Sequence, residues 1–238
     1  MLIFAMDTCC RAATAAVVGD DGVMAQIILN SGMQHSQRMM PLVEQMFDGL
    51  GITPASIDAF AAAVGPGSFT GVRIGVSTVK AMAHAAGKPC VAVSTLEGLA
   101  ANVPYFDGYV CPILDARREQ VYTAAFRYDG GRCVRVREDC AMAVSELMEW
   151  FDHPENPPCP PLGKGALEDV LFLGDGVFAY RDLIERALGE RAKFAPAYLC
   201  MNMASSVGAV AMEKVRRGEV VGYGELVPNY VRASQVGV

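Results

Sequence analysis

The sequence predicts a two-lobed α/β fold with a β-meander and helices in each lobe. Three short apolar segments open the chain, and a strand, a glycine turn and a long helix follow in residues 59–86. A second strand, glycine turn and helix occur in residues 170–188. Strands that alternate with helical segments in this way indicate a sheet covered by helices.

Length and charge restrict the functions that the chain can have. The chain has 238 residues, which is enough to bury about 70–75% of the surface of the unfolded chain. A formal net charge of −6 argues against a broad phosphate-binding surface. Any contact with nucleic acid is therefore expected to be local or to be made through a partner.

The eight cysteines and the hydropathy pattern predict the compartment. No C-x-x-C pair occurs, no basic leader precedes the first strand, and no apolar run is long enough to span a bilayer. We expect reduced thiols in a cytoplasmic protein that has no membrane segment.

The first lobe is expected to begin with strands at residues 2–6, 12–18 and 23–29. The first strand ends at Asp7 and Thr8, and a Gly-Asp-Asp-Gly turn joins the other two strands. A helix over residues 34–50 follows, with Ser36 as its N-cap and a first turn distorted by Pro41.

The glycine turn of residues 65–71 has two interpretations. A strand, a glycine turn and a helix N-terminus can receive an anion, and Ser68 or Thr70 can cap the helix. The alternative is a tight turn that only lets the helix pack, because no Gly-Lys-Ser/Thr follows Gly65. The candidates for a vestigial phosphate loop are Asp7, Thr8, Gly65, Gly67, Ser68, Thr70 and Gly71.

The helix after this turn has a clear apolar face, and the second half of the chain repeats the strand–helix pattern. The helix should bury Val72, Val76, Val79 and Ala83. The remaining expected strands are residues 90–93, 109–114, 119–127 and 170–173. The remaining expected helices are residues 95–102, capped by Ser94, residues 177–188, capped by Asp175, and residues 205–217.

We expect the lobes to comprise residues 1–103 and 104–238, with the last helix packing back on the first lobe. Residues 152–169 are rich in proline and glycine and predict an irregular loop. The turn at Asp115 and Arg117 is a structural ion pair, a hinge or a solvated turn; the sequence leaves these three open.

Five sequence blocks carry a resemblance to a known family. They are MLIFAMDTCCRAATAAVV, HSQRMMPLVEQMF, GPGSFTGVRIGVSTVKAMA, ILDARREQVYTAAF and PNYVR, which occur in this order between Met1 and Arg232. Together they resemble the TsaB (YeaZ) family, a glycoprotease-like branch of the actin-like ATPase superfamily. The resemblance implies the acetate/sugar kinase–heat-shock–actin fold, which is ribonuclease H-like.

The resemblance also implies a function and partners. In that family, TsaB and TsaD, helped by the ATPase TsaE, transfer threonylcarbamoyl to the adenosine beside the tRNA anticodon. The chain would be a non-catalytic scaffold that pairs with TsaD and contacts tRNA only through the complex. It would have no cofactor of its own, with ATP or ADP bound only in the complex with TsaD and TsaE. Alone, it could form a homodimer.

A comparison with TsaD predicts that the chain has no metal site and no catalytic residue. The corresponding TsaD helix carries His-x-x-x-His, which places two imidazoles on one face. Here His35 is followed four residues later by Met39, whose thioether is a poor ligand for a hard or borderline ion.

The two long helices of the first lobe are the predicted contact with TsaD. The apolar face of residues 34–50 is wider than one sheet contact requires, which favours a partner helix, although a core role is equally compatible with the pattern. The interface candidates are His35, Met39, Leu42, Val43, Met46, Val72, Arg73, Val76 and Lys80.

Two enzymatic functions are alternatives. An ATP-dependent phosphotransferase would use Asp7 and residues 65–71, but that turn contains no lysine. A glycoprotease is the less favoured alternative, because the sequence offers no convincing Ser-His-Asp set.

Overall fold

A computed structural model of the protein describes residues 1–30, 35–152 and 168–231, and it describes side chains in the first long helix from Arg38 onward. Gln34, most of the predicted 152–169 loop and Arg232 therefore lie outside the described residues. The chain divides into two compact units, Met1–Ala101 with Asn202–Val238, and Asn102–Met201.

The first unit contains a five-stranded sheet with the strand order β3-β2-β1-β4-β5. Its strands are β1 (Leu2–Asp7), β2 (Ala13–Gly19), β3 (Gly22–Leu29), β4 (Ala59–Ala63) and β5 (Cys90–Val93). Strands β1 to β3 form an antiparallel meander, while β4 and β5 run parallel to β1. The predicted meander is confirmed.

Four helices accompany this sheet. They are α1 (His35–Leu50), α2 (Phe69–Ala86), α3 (Thr95–Ala100) and α6 (Ala204–Arg216), with one short 3-10 turn at Pro54–Ser56. The ring of Phe4 on β1 lies 5.7 Å from that of Phe47 on α1. The next residue, Ala5, instead faces Gly208 of α6. Because successive strand residues point to opposite faces, α1 and α6 cover opposite faces of the sheet.

The second unit repeats this topology. Its strands are β6 (Tyr109–Asp115), β7 (Gln120–Asp129), β8 (Arg132–Ala143), β9 (Val170–Leu173) and β10 (Ala192–Phe194), in the order β10-β9-β6-β7-β8. Its helices are α4 (Val144–Asp152) and α5 (Gly176–Leu188), and 3-10 turns occupy Gly189–Arg191 and Ala197–Leu199. A meander followed by two parallel strands thus occurs twice, which confirms the predicted two-lobed α/β fold.

The structure corrects two predicted caps and contains three elements that the sequence analysis did not predict. Helix α1 begins at His35, so Ser36 lies inside the helix rather than at its N-cap. Asp175 stands at the N-cap of α5 but makes no capping hydrogen bond, because its Oδ1 accepts the amide of Asp115. Strands β8 and β10 and helix α4 were not predicted. Ser68 and Ser94 do cap α2 and α3.

The described helices include none that is both long enough and apolar enough to cross a bilayer.

Helix α6 approaches the sheet closely at Gly208, which gives a test of the packing. A Cβ on Gly208 would lie 2.7 Å from Cγ2 of Val18. We expect Gly208→Ala to lower the free energy of unfolding by about 1–3 kcal/mol, because the valine has little room to move. Urea denaturation of the variant and the wild type measures this difference in the free energy of unfolding.

Gly49→Ala in α1 is the matched control, since nothing lies within 4 Å of the added Cβ. It should leave stability unchanged or raise it by up to about 1 kcal/mol. Equal effects of the two substitutions would contradict the described packing of α6.

Candidate functional site

The glycine turn interlocks with the turn that follows β1. A Cβ on Gly71 would overlap the carbonyl oxygen of Thr8, and a Cβ on Gly67 would overlap that of Cys9. The hydroxyl of Thr8 donates to the carbonyl of Gly71 at 2.6 Å. The space that these glycines leave open is therefore filled by the protein's own backbone.

Amides of the turn are engaged in the same way. The Ser68 amide donates to the carbonyl of Cys9 at 2.7 Å, and the Gly71 amide donates to the Ser68 hydroxyl at 3.3 Å. An anion-binding turn needs such N–H groups free to point at the ligand. The geometry therefore supports the tight-turn interpretation of residues 65–71.

Gly65 serves a contact with the C-terminal part of the chain. Its φ is +108°, which side chains rarely adopt, and a Cβ would lie 2.7 Å from the carbonyl oxygen of Asn229. The Asn229 amide donates to the carbonyl of Val64 at 2.7 Å.

Thr70 is exposed in the first turn of α2. The N-cap of that helix is Ser68.

Asp7, the last residue of β1, is buried. Its Oδ1 accepts the Cys9 amide at 2.8 Å, and its side chain is only 1% exposed. Burial raises the pKa of Asp7 from 3.8 to about 6. Asn202 donates to the backbone carbonyls of Asp7 and Ala12 at 3.4 and 3.1 Å. The carboxylate of Asp7 and the amide of Asn202 therefore both stabilise the turn that follows β1.

The interface candidates on α1 and α2 divide by exposure. Five of them are between 1% and 8% exposed and belong to the core of the first unit: Met39, Val43, Met46, Val72 and Val76. These residues must be reinterpreted as core, because they have no surface left for a partner. Leu42 and Lys80 are half-buried, Arg73 is exposed, and the side chain of His35 lies outside the description.

Helix α2 nevertheless has a surface that points away from the sheet. Thr70, Ser77 and Ala81 are exposed and Ile74 is half-buried. Their spacing of three or four residues places them on one face, opposite the buried residues. We call these four residues the outward face of α2. Its side chains are small or apolar and carry no charge, so they permit close approach of another helix.

The flank of α2 is lined by residues 221–231, which we call the C-terminal segment. Cys90 and Val221 exchange backbone hydrogen bonds at 2.8 and 2.9 Å. Further along, Lys80 donates to the carbonyl of Gly224 at 3.5 Å, and Arg73 donates to the hydroxyl of Tyr230 at 2.8 Å. Arg73 and Lys80 therefore hold this segment, a role that the helical pattern of α2 could not reveal.

The turn between β6 and β7 contains an ion pair between Asp115 and Arg117. An ion pair was one of the three roles that the sequence left open for these residues, beside a hinge and a solvated turn. Arg117 lies 3.3 Å from Asp115, which also accepts the hydroxyl of Tyr180 at 3.0 Å. Three successive residues, Arg117, Arg118 and Glu119, have φ of 67°, 54° and 59°.

Two further features concern metals and thiols. The described ranges contain no group of three His, Cys, Asp or Glu residues that could hold a metal ion. Four cysteines are buried, namely Cys9, Cys90, Cys111 and Cys200, and burial raises the pKa of Cys111 to about 12. These four thiols act as buried apolar side chains.

Asp7→Asn should stabilise the protein at neutral pH. The native state holds the Asp7 proton more tightly than the unfolded state, so stability falls as the pH rises through 3.8 and the loss is complete above about pH 6. A shift of this size corresponds to about 3 kcal/mol. Asparagine avoids that cost, because it is neutral at every pH and can still accept the Cys9 amide.

Urea denaturation of variant and wild type between pH 4 and 7.5 measures this effect. The advantage of the variant should shrink as the pH is lowered. Asp107→Asn, which changes an exposed carboxylate, should show no such trend. If Asp7→Asn were more stable than the wild type by the same amount at every pH, the raised pKa of Asp7 would not be the source of the extra stability.

Comparisons with known proteins agree with this architecture. A family profile described as TsaD, tRNA N6-adenosine threonylcarbamoyltransferase, matches residues 22–236. YeaZ from Pseudomonas aeruginosa has a TM-score of 0.77 at 24% identity, with 96% of this chain and 99% of that chain covered.

Curated relatives give the more specific match. The tRNA threonylcarbamoyladenosine biosynthesis protein TsaB of Bacillus subtilis (strain 168) is 34% identical over 235 residues, which cover 99% of this chain and 96% of the relative. The TsaB protein of Escherichia coli (strain K12) is 37% identical over 188 residues, covering 74% and 80%. The chain therefore belongs to the TsaB (YeaZ) family of tRNA threonylcarbamoyladenosine biosynthesis proteins.

Proposed function

We propose that the chain is a non-catalytic subunit in tRNA threonylcarbamoyladenosine modification, where it serves as the scaffold partner of TsaD. The observation that carries the scaffold role is the interlock at the glycine turn. The space beside Gly67 and Gly71, which a phosphate would need, is taken by the backbone of Thr8 and Cys9. A relative that matches 99% of the chain is named for this modification.

The proposed contact with TsaD is the outward face of α2 together with Leu42 of α1. These residues are exposed or half-buried, whereas the neighbouring valines are core residues. Small side chains such as Ser77 and Ala81 let helices approach closely, and an uncharged surface costs little to desolvate. TsaE would join this pair, and tRNA would be reached through the complex. Because the substrate is tRNA, the compartment is the cytoplasm.

Ala81→Glu tests this contact. A glutamate at the centre of a helix–helix interface must lose water without gaining a partner, so the affinity for TsaD should fall at least tenfold. Leu42→Glu should weaken binding in the same direction. Size-exclusion chromatography with light scattering and calorimetry measure the complex.

Ala209→Glu is the matched control, because Ala209 is an exposed alanine on α6, which covers the face of the sheet opposite to α1. It should bind TsaD as the wild type does. If Ala81→Glu and Ala209→Glu both bind normally, TsaD does not dock on the outward face. Val76 is unsuitable for this test, since it is 3% exposed and a charge there would unfold the chain.

The isolated chain should not bind ATP with magnesium. The amides of Ser68 and Gly71 already have acceptors within the protein, so the glycine turn offers no cradle for phosphates. Isothermal calorimetry at millimolar nucleotide should give no binding heat. Saturable heat that disappears in Asp7→Asn would instead favour the phosphotransferase alternative.

A further inference from the structure

An exposed aromatic and guanidinium cluster lies at the start of α2. The guanidinium carbon of Arg73 lies 3.7 Å from the ring centroid of Phe69, and the rings of Phe69 and Tyr230 are 5.3 Å apart. Phe69 and Tyr230 remain 42% and 44% exposed. We call these three residues the Arg73 cluster.

The cluster is held in place from two directions. The Arg73 Nε donates to the Tyr230 hydroxyl at 2.8 Å, while the backbone beside Tyr230 is fixed by the Asn229 amide on Val64. The missing side chain of Gly65 makes room for the Asn229 carbonyl. The guanidinium is thereby pre-organised, so little conformational entropy is lost when it binds a further group.

Among the residues that the structure describes, the terminal nitrogens of the Arg73 guanidinium have no hydrogen-bond acceptor. Its Nε serves Tyr230, but across the residues that the structure describes Arg73 forms no ion pair with a carboxylate. The chain has a net charge of −6 and pairs many of its other exposed arginines, such as Arg181 and Arg217. The two terminal nitrogens of Arg73 match the two oxygens of a carboxylate.

We propose that the Arg73 cluster is the receptor for a carboxylate side chain of the partner that docks on the outward face of α2. This rests on the function proposed above and adds to it the chemistry of one contact. Arg73 lies one residue before Ile74 of that face, so a helix packed there comes within reach of the guanidinium. Arginine and aromatic residues in rigid, partly desolvated positions are typical of interface hot spots.

A carboxylate is favoured over an RNA phosphate by the surroundings. The net charge of the chain repels a polyanion, and the outward face beside Arg73 is uncharged rather than basic. A single acidic side chain on a protein surface carries too little charge to be repelled in this way, and it needs only one arginine rather than a basic surface.

Arg73→Gln tests the proposal. Glutamine keeps a polar side chain but loses the charge and the paired donors, so the affinity for TsaD should fall about 10- to 100-fold. Tyr230→Phe removes only the hydrogen bond that orients Nε, so a smaller loss of several-fold is expected. Arg217, an exposed arginine at the C-cap of α6, supplies the control Arg217→Gln, which should bind normally.

Calorimetry at two or more salt concentrations separates charge pairing from loss of packing. The affinity of the wild type should fall more steeply with salt than that of Arg73→Gln. Replacing exposed Asp and Glu of TsaD one by one with the amide should identify one residue whose change has no effect in the Arg73→Gln background.

The outcomes separate the two proposals. If Arg73→Gln binds TsaD normally while Ala81→Glu does not, the Arg73 receptor is overturned and the interface stands. If both variants bind normally, both proposals fail. If Arg73→Gln binds TsaD normally but the complex binds tRNA more weakly, the occupant is a phosphate and the carboxylate assignment is wrong.

Discussion

The first unit depends on the interlock between the glycine turn and the turn that follows β1. Backbone meets backbone there, because Gly67 and Gly71 have no side chain and Thr8 and Cys9 occupy the vacant volume. The contact aligns the N-terminus of α2 with the end of β1 and closes the turn to an external anion. Asp7, one residue before this contact, is buried, and its burial raises its pKa. One steric arrangement thus accounts for the glycines at positions 67 and 71, and it is the observation on which the proposed scaffold role rests.

The same arrangement fixes what α2 can present to a partner. Its inner face is consumed by the sheet, one flank is lined by the C-terminal segment, and the outward face is left to solvent. In the proposed complex, the partner would contact only a small number of exposed side chains on this helix. Most of its apolar residues serve the fold, so a wide apolar stripe is a poor guide to an interface.

The sequence was sufficient for elements with strong local signals. The apolar spacing of Val72, Val76 and Val79 identified a buried helix face, Ser94 identified one helix start, and Ser68 was one of two candidates for another. It was insufficient where the deciding contact is distant. The stripe of Met39, Val43 and Met46 looks the same whether a sheet or another protein covers it, and Asp175 resembles a cap until Asp115 is brought beside it. Strand β8 escaped recognition because it is an edge strand whose alternation includes charged residues. The bond between Arg73 and Tyr230 joins residues 157 positions apart, beyond any local pattern.

The first unit is built from two separate stretches of the chain, which has a consequence for how it folds during synthesis. Its sheet comes from the beginning of the chain, but α6 and the C-terminal segment come from the end, whereas the second unit is one continuous stretch. On the ribosome, strands β1 to β5 emerge long before the helix that covers one of their faces. The second unit can complete its folding first, while the sheet made earlier waits with an uncovered apolar face until α6 has been translated. A chain that stops before α6 would therefore leave its oldest sheet uncovered, although its newest unit is complete.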